Sequence, residues 1–396
     1  MRPRPDSLAI AALLTSLVAI GPLSTDMYLP ALPILVHAFG ADVSSAQLTL
    51  SIFLIGFAFG QLLAGPLSDR FGRRPLLIWG MALYAAASLG CALAADFQQL
   101  SVGRLFQALG ACCGPVLGRA VVRDVYGRER AARMFAYMAM AMAVAPAVAP
   151  MLGGFLTQWP GWRGIFLALG AAGAALGGAV ALMLSETNPH LSPDAVRPGR
   201  LLASYLGLLG DRAYRGYVLC FAGVFSALFA FISGSSFVLI ERFGLTPVMY
   251  GLSFGVVVFG YMVGSFLSGR LTQRLGMARM IVLGLWVGNG GGLLGLALTL
   301  AGVDTVPAIV GPVALVMVGA GLVLPNAMAG AIAPYGEMAG TASALLGFIQ
   351  MLLAALAGMA IARFGAAGPV PMMLGIALAN LLATLAYLDL TLRRRS

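Results

Sequence analysis

The sequence predicts an all-α membrane protein of twelve transmembrane helices, arranged as two similar halves. Three observations predict it. Apolar runs of about twenty residues recur from end to end. Arginines fall almost entirely on alternate connections. A short loop motif recurs after a constant interval.

The chain of 396 residues is 60% hydrophobic and 10% charged, against roughly 25% charged in soluble domains. Each apolar run is long enough to cross a ~30 Å hydrocarbon layer as a helix. Without water, every backbone donor and acceptor must be satisfied inside the segment, so such runs become helices. The ten-residue alternation of a membrane β-barrel does not occur. The predicted spans are 8–34, 46–66, 75–95, 98–122, 131–156, 161–184, 214–239, 248–271, 278–300, 307–331, 339–362 and 369–391.

Span one follows Arg2 and Arg4 as a signal peptide would, but it lacks a small-residue cleavage site and eleven spans follow. It reads as an uncleaved first helix. The connections are short except residues 185–213, which divide the chain into a first bundle (1–184), a cytoplasmic linker (185–213) and a second bundle (214–396). All 24 basic residues are arginine; nineteen lie on the side of the N-terminus, three on the other (Arg163, Arg242 and Arg363), and Arg104 and Arg119 within span four. That bias predicts both termini in the cytoplasm and an even number of spans. The net charge of +10 does not indicate nucleic acid, because the arginines are scattered between apolar runs. Cys91, Cys112, Cys113 and Cys220 all lie in apolar runs and read as packing residues, with no disulfide framework and no metal pair.

GPLSDRFGRR begins at Gly65 and GRLTQRLGMA at Gly269, so Gly65, Arg70 and Gly72 align with Gly269, Arg274 and Gly276 at an offset of 204. Two parallel six-helix repeats are expected from this. Small-residue series such as Gly56 and Gly60, or Gly284, Gly288 and Gly292, predict close helix packing.

Asp26, in GPLSTDMYLPALP, is the one carboxylate well inside a predicted span. A carboxylate in the membrane marks function by default; a proton binding and leaving as its surroundings switch is the expected chemistry. The competing reading is an interfacial cap on a helix cut short by Pro22, Pro30 and Pro33. Arg104 lies about six residues, or ~9 Å, into span four, at a depth similar to Asp26, and is expected to share a cavity with it. Gln107 follows one turn on. In the loop 65–75, Asp69 and Arg73 are candidate partners, with Asp124 at the inner end of span four. Pro146 and Pro150 are expected to loosen span five, and Gly153 and Gly154 to admit a neighbouring helix. Tyr28, Tyr137, Met138, Phe225 and Phe229, with Gln107, are candidates to line a substrate cavity.

These motifs resemble the drug:proton antiporters of the major facilitator superfamily, and within them the bicyclomycin/chloramphenicol-resistance branch. STDMYLPALP, GPLSDRFGRRP, Arg104 with Gln107 and Gly110, RAVVRDVY (119–126), residues 142–155 and residues 325–347 carry the resemblance over nearly the whole chain. Ala149 departs from it, standing where many members have glycine before the proline. The resemblance implies that Asp26 is the proton- and substrate-coupling acid, modulated by Arg104. It implies a conformational latch of Gly65, Asp69, Arg70, Gly72, Arg73 and Asp124, and a helix-five motif of Pro146, Pro150, Gly153 and Gly154.

The function expected is proton-coupled efflux of small lipophilic drugs such as amphenicols or bicyclomycin, from a multi-pass position in a bacterial inner membrane. The alternative is a proton-coupled carrier of one metabolite: a sugar, amino acid or siderophore. An enzyme is not expected, since there is no ATP loop, HExxH or GxSxG, and the two histidines, His37 and His190, fall in loops. No cofactor or metal is expected. The partners are drug-like small molecules, protons and the lipid bilayer, with the chain acting as a monomer.

Overall fold

The structure, a computed structural model, describes residues 7–126, 128–158, 161–188, 191, 198–363 and 368–392. His190 and the arginines Arg2, Arg4, Arg197, Arg393, Arg394 and Arg395 lie outside the described residues. Twelve long helices carry the chain: α1 (Leu8–Phe39), α2 (Val43–Phe71), α3 (Arg73–Leu93), α4 (Phe97–Val125), α5 (Arg128–Gln158), α6 (Trp162–Met183), α7 (Arg212–Arg242), α8 (Pro247–Leu275), α9 (Met277–Leu300), α10 (Val306–Tyr335), α11 (Ala339–Ala362) and α12 (Pro369–Leu392). Eleven are long and apolar enough to cross a membrane by length and composition; α5, of 31 residues, is the twelfth. No strand occurs among the described residues. Trp79, Trp286 and Phe259 stand exposed, as lipid-facing side chains do and those of soluble proteins seldom do.

Helices start where the sequence offers a cap. Asp42 accepts the Ser45 amide at 3.1 Å before α2, Asp96 the Gln99 amide at 2.8 Å before α4, and Asp211 the Ala213 amide at 2.7 Å before α7. The Ser44 and Ser45 hydroxyls also converge on Asp42 and hold its pKa down to about 2.

The packing repeats with a shift of six helices. α1 packs on α4 and α5, α2 on α4, and α3 on α4 and α6; α7 packs on α10 and α11, α8 on α10, and α9 on α10 and α12. The two six-helix bundles meet through α2 on α11 and α5 on α8, pairs that the same shift exchanges. The fold is therefore two pseudo-symmetric six-helix bundles. Glycines set the shared register. A Cβ on Gly60 would lie 2.4 Å from the Cys112 sulfur of α4, and 204 residues later one on Gly264 would lie 2.1 Å from the Val318 carbonyl of α10. Gly72 and Gly276 turn α2 into α3 and α8 into α9 at φ 100° and 82°, a region costly for any residue with a side chain.

Several helices depart from regular predicted spans. The regular part of α1 ends at Asp26, passes through a 3-10 turn at Leu29–Ala31, and resumes at Leu32. Pro30 and Pro33 lack the amide protons that a continuous helix needs there. α2 runs on to Phe71, so Gly65 lies inside the helix with nothing near its missing Cβ. Its expected role in the turn passes to Gly72 alone. The connection after α6 contains a helix, Pro198–Gly210, where the sequence suggested only a linker. Its Leu208 is buried, and Tyr205 and Leu209 pack against the core, so apolar residues there find a surface to cover.

The bundles touch at the arginine-poor end. Gly358 lies against Ser51 and Gly251 against Met151 there, while Gly347 meets Gln61 further along α11 and α2. The Gln47 side-chain amide donates to the Ser233 carbonyl at 2.8 Å. At the arginine-rich end the ion pairs Arg73–Asp124 and Arg212–Asp389 and the bond from Tyr214 to Ala342 each stay within one bundle.

Candidate functional site

Asp26 sits at the break in α1, 3% exposed. The Thr25 hydroxyl donates to its carboxylate at 3.0 Å. The next carbonyl, of Met27, abuts Gly153 of α5, where a Cβ would come within 2.0 Å of it. From the second bundle, Tyr250 of α8 is within electrostatic reach of Asp26, and its hydroxyl is bonded to Ser235 of α7 at 2.9 Å. Asp26 therefore stands at the break in α1, beside the turn Leu29–Ala31 that packs across the seam on α7 and α8 of the other bundle.

Arg104 is fully buried. Its Nη1 donates to the Ser24 carbonyl at 2.9 Å and to Gln107 Oε1 at 2.7 Å. The guanidinium lies 4.1 Å from the Phe53 ring centroid and 4.9 Å from that of Tyr28. Nε and Nη2 have no partner. Asp26 and Arg104, expected to share a cavity, form no ion pair with each other among the described residues. The helix explains why: Ser24 and Asp26 are two residues, or about 200°, apart on α1. The Ser24 side turns toward α3, bonding the Tyr84 hydroxyl at 2.7 Å, while Asp26 turns toward the seam. What holds Arg104 is two rings and two neutral oxygens.

Two expected cavity residues belong to this cage. Tyr28 is fully buried, bonded to Thr49 at 2.9 Å and packed on Phe166. Gln107 is fully buried and donates to Ser88 at 2.7 Å. Both are buried in the packing around Arg104. Met138 is buried with its methyl end near Gly118, and Phe229 is buried against Gly358 of α11. Phe225 is half-buried and Tyr137 is 40% exposed, so Tyr137 is the most accessible of the six.

At the arginine-rich end, Arg73 reaches Asp69 at 2.6 Å, Asp124 at 3.1 Å, and the Ser68 hydroxyl. This joins the end of α2, the start of α3 and the end of α4. Asp69 forms no bond to Ala339 of α11 between described residues. Arg70 is exposed, stacked 5.1 Å from Phe71. Sequence reasoning missed Glu186. Its carboxylate accepts the Arg73 amide at 2.9 Å and the Arg74 amide at 3.1 Å, capping α3 from beyond α6. It fits because Gly72 has no Cβ; one would lie 2.5 Å from Glu186 Oε2. Tyr250, Phe53 and Tyr84 were missed too. Only Glu186, an acid next to a span end, left any mark in the sequence.

In α5, Pro150 is buried and Pro146 half-buried. Gly153 faces α1, and Gly154 faces the Pro247 carbonyl of α8, 2.6 Å from where its Cβ would be. The pair sits between the broken helix and the opposite bundle. Among the described residues no cluster of ligating side chains suits a metal ion.

The chain is similar to proteins of known family. A profile described as Major Facilitator Superfamily matches residues 14–358. The MFS-type transporter YdgK of Bacillus subtilis is 33% identical over 88% of this chain and 87% of its own. The chloramphenicol resistance protein of Pseudomonas aeruginosa is 32% identical over 86% and 80%. A bacterial homolog of the human lysosomal transporter Spinster, in an inward-facing and occupied conformation, superposes with a TM-score of 0.73 at 17% identity, covering 99% of this chain and 98% of that one. The match across most of the chain, on a twelve-helix pseudo-symmetric fold, makes this protein a member of the Major Facilitator Superfamily.

Proposed function

We propose that this transporter is a proton-coupled antiporter that exports small lipophilic drugs such as amphenicols, with Asp26 carrying the coupling proton. The observation that carries the reading is the buried Asp26 carboxylate at the seam, beside a broken helix and without a cation. A carboxylate there is stable protonated when sealed and ionised when wet, so proton occupancy changes as the seam opens. The name of the Pseudomonas aeruginosa relative supports the cargo class. In this reading residues 1–184 and 214–396 are the two moving bundles, residues 185–213 link them, and both termini are cytoplasmic. The arginine-rich end is then the cytoplasmic mouth, and the Asp69–Arg73–Asp124 cluster is a latch that rearranges as that mouth closes. Arg104 tunes the site through α1, by way of Ser24.

The test is chloramphenicol transport in proteoliposomes driven by a pH gradient, wild type beside Asp26→Asn. The variant is expected to lose uphill transport and keep downhill exchange. Full uphill transport by Asp26→Asn would place the coupling proton elsewhere.

A further inference from the structure

The arginine-poor end holds a crevice of about 260 Å³ between α2, α7, α11 and α12, whose lining includes neither Asp26 nor Arg104. Phe237, Val238, Ile361 and Met372 give it apolar walls, and Gln47, Glu241 and Arg242 give it polar ones. Its construction is unusual in two independent respects.

The first is backbone. α7 does not finish as an α-helix; its last turn, Phe237–Arg242, is π-helical. Single π-turns within α-helices concentrate at functional sites, and this one supplies Phe237, Val238, Glu241 and Arg242 to the crevice wall. The second is an open acceptor. Gln47 is 2% exposed and its amide nitrogen is bonded to Ser233, but its Oε1 has no donor. Buried amide oxygens in folded proteins nearly always have one. The charges are also uneven. Arg242 is held by Asp304 at 2.6 Å. Among the described residues Glu241 is paired with His37 Nε2 at 3.6 Å, a charged partner only when that imidazole is protonated. The crevice thus offers two acceptors, one of them anionic, against an apolar wall.

We propose that this crevice is a binding site for a small organic ammonium ion. The ammonium head donates to Gln47 Oε1 and to the Glu241 carboxylate, and the apolar body lies against Phe237, Val238 and Met372. The volume falls just below the roughly 300 Å³ at which pockets for drug-sized ligands begin, so the occupant is smaller than the exported cargo. Gln47 belongs to the first bundle and the other lining residues to the second. An occupant therefore ties the bundles together at this end and favours the arrangement seen here. None of this depends on Asp26 or on the direction of transport.

The test is calorimetric titration of the full-length protein in detergent with benzylammonium chloride and, separately, with benzyl alcohol. Benzylammonium is expected to bind saturably and the alcohol at least about tenfold more weakly. Glu241→Gln should weaken benzylammonium binding by about tenfold, and Gln47→Leu, which removes the other acceptor, by several-fold. Equal affinity for the two probes, or unchanged binding in both variants, overturns the proposal. So does binding abolished by Asp26→Asn while Glu241→Gln keeps it, which would locate the ion at the seam.

Discussion

Replacing Arg104 with methionine is expected to leave the fold nearly as stable as wild type and to abolish uphill transport. The variant loses two hydrogen bonds from a charged donor, to Ser24 at 2.9 Å and Gln107 at 2.7 Å, about 1.5–3 kcal/mol each. It also loses the stacking on Phe53 and Tyr28, about 2 kcal/mol when desolvated. Against this, it removes a guanidinium buried without an anion, a burden of several kcal/mol. It also removes the unpartnered Nε and Nη2, about 1–3 kcal/mol each. The losses come to roughly 5–8 kcal/mol and the gains are of similar size, and methionine fills much of the space the arginine stem vacates. The melting temperature of the purified protein should move by only a few degrees. Arg104→Lys keeps the charge but offers a compact head that cannot span two rings and two oxygens, so it should be the less stable variant. Melting temperatures in detergent, read beside pH-gradient-driven transport in proteoliposomes, decide the matter. A methionine variant that collapses, or one that transports uphill at the wild-type rate, would refute the reasoning.

Three further outcomes follow from the geometry. Glu186→Ala frees the Arg73 and Arg74 amides at the start of α3 and should cost about 1 kcal/mol, read as a lower melting temperature with transport retained. Gly153→Val places a side chain where a Cβ already lies 2.0 Å from the Met27 carbonyl. It should abolish transport or folded yield, while Gly178→Ala, with open space around it, should do neither. Asp42 has a folded pKa lowered to about 2, so its contribution is complete above the unfolded value near 4 and is lost as pH falls through 2. The stability difference between wild type and Asp42→Ala should therefore be constant above about pH 5 and vanish toward pH 2; a difference that persists at pH 2 would contradict it.

The helices were legible because lipid leaves the backbone no alternative, and the repeat because glycine contacts tolerate no side chain. Gly72 and Gly276 could be paired by eye, and they turn the chain alike. The Arg73–Asp69 contact was legible for the same reason that any i, i+4 pair is. What the sequence hid was direction. It placed Asp26 and Arg104 at one depth but said nothing of which way each faced. The proline break then left Ser24, not Asp26, on the arginine. Tyr28 and Gln107 read as cavity residues because a polar group in a span suggests water; in the structure their polarity serves a buried cation. Glu186 caps α3 from more than a hundred residues away, a contact that no local pattern encodes.

The two halves share a frame but not a chemistry. Counting on by 204 from Asp26, Asp69, Arg73, Arg104 and Asp124 gives Ala230, Gln273, Met277, Ala308 and Met328. The glycine contacts survive that step, and of the titratable residues named for the site only Arg70 keeps its counterpart, Arg274. The second bundle instead carries neutral pairs at these levels, Tyr250 bonded to Ser235 near the seam and Asn326 bonded to Ser268 and Thr272 between α10 and α8. In the proposed mechanism the proton acts in the first bundle, and the second responds through contact with it. The glycine contacts of α5 with α8 and of α2 with α11 provide the bearing surface. In that mechanism a change of charge at Asp26 reaches the second bundle at the break in α1, where the turn Leu29–Ala31 packs on α7 and α8 and the fit of the two bundles is set.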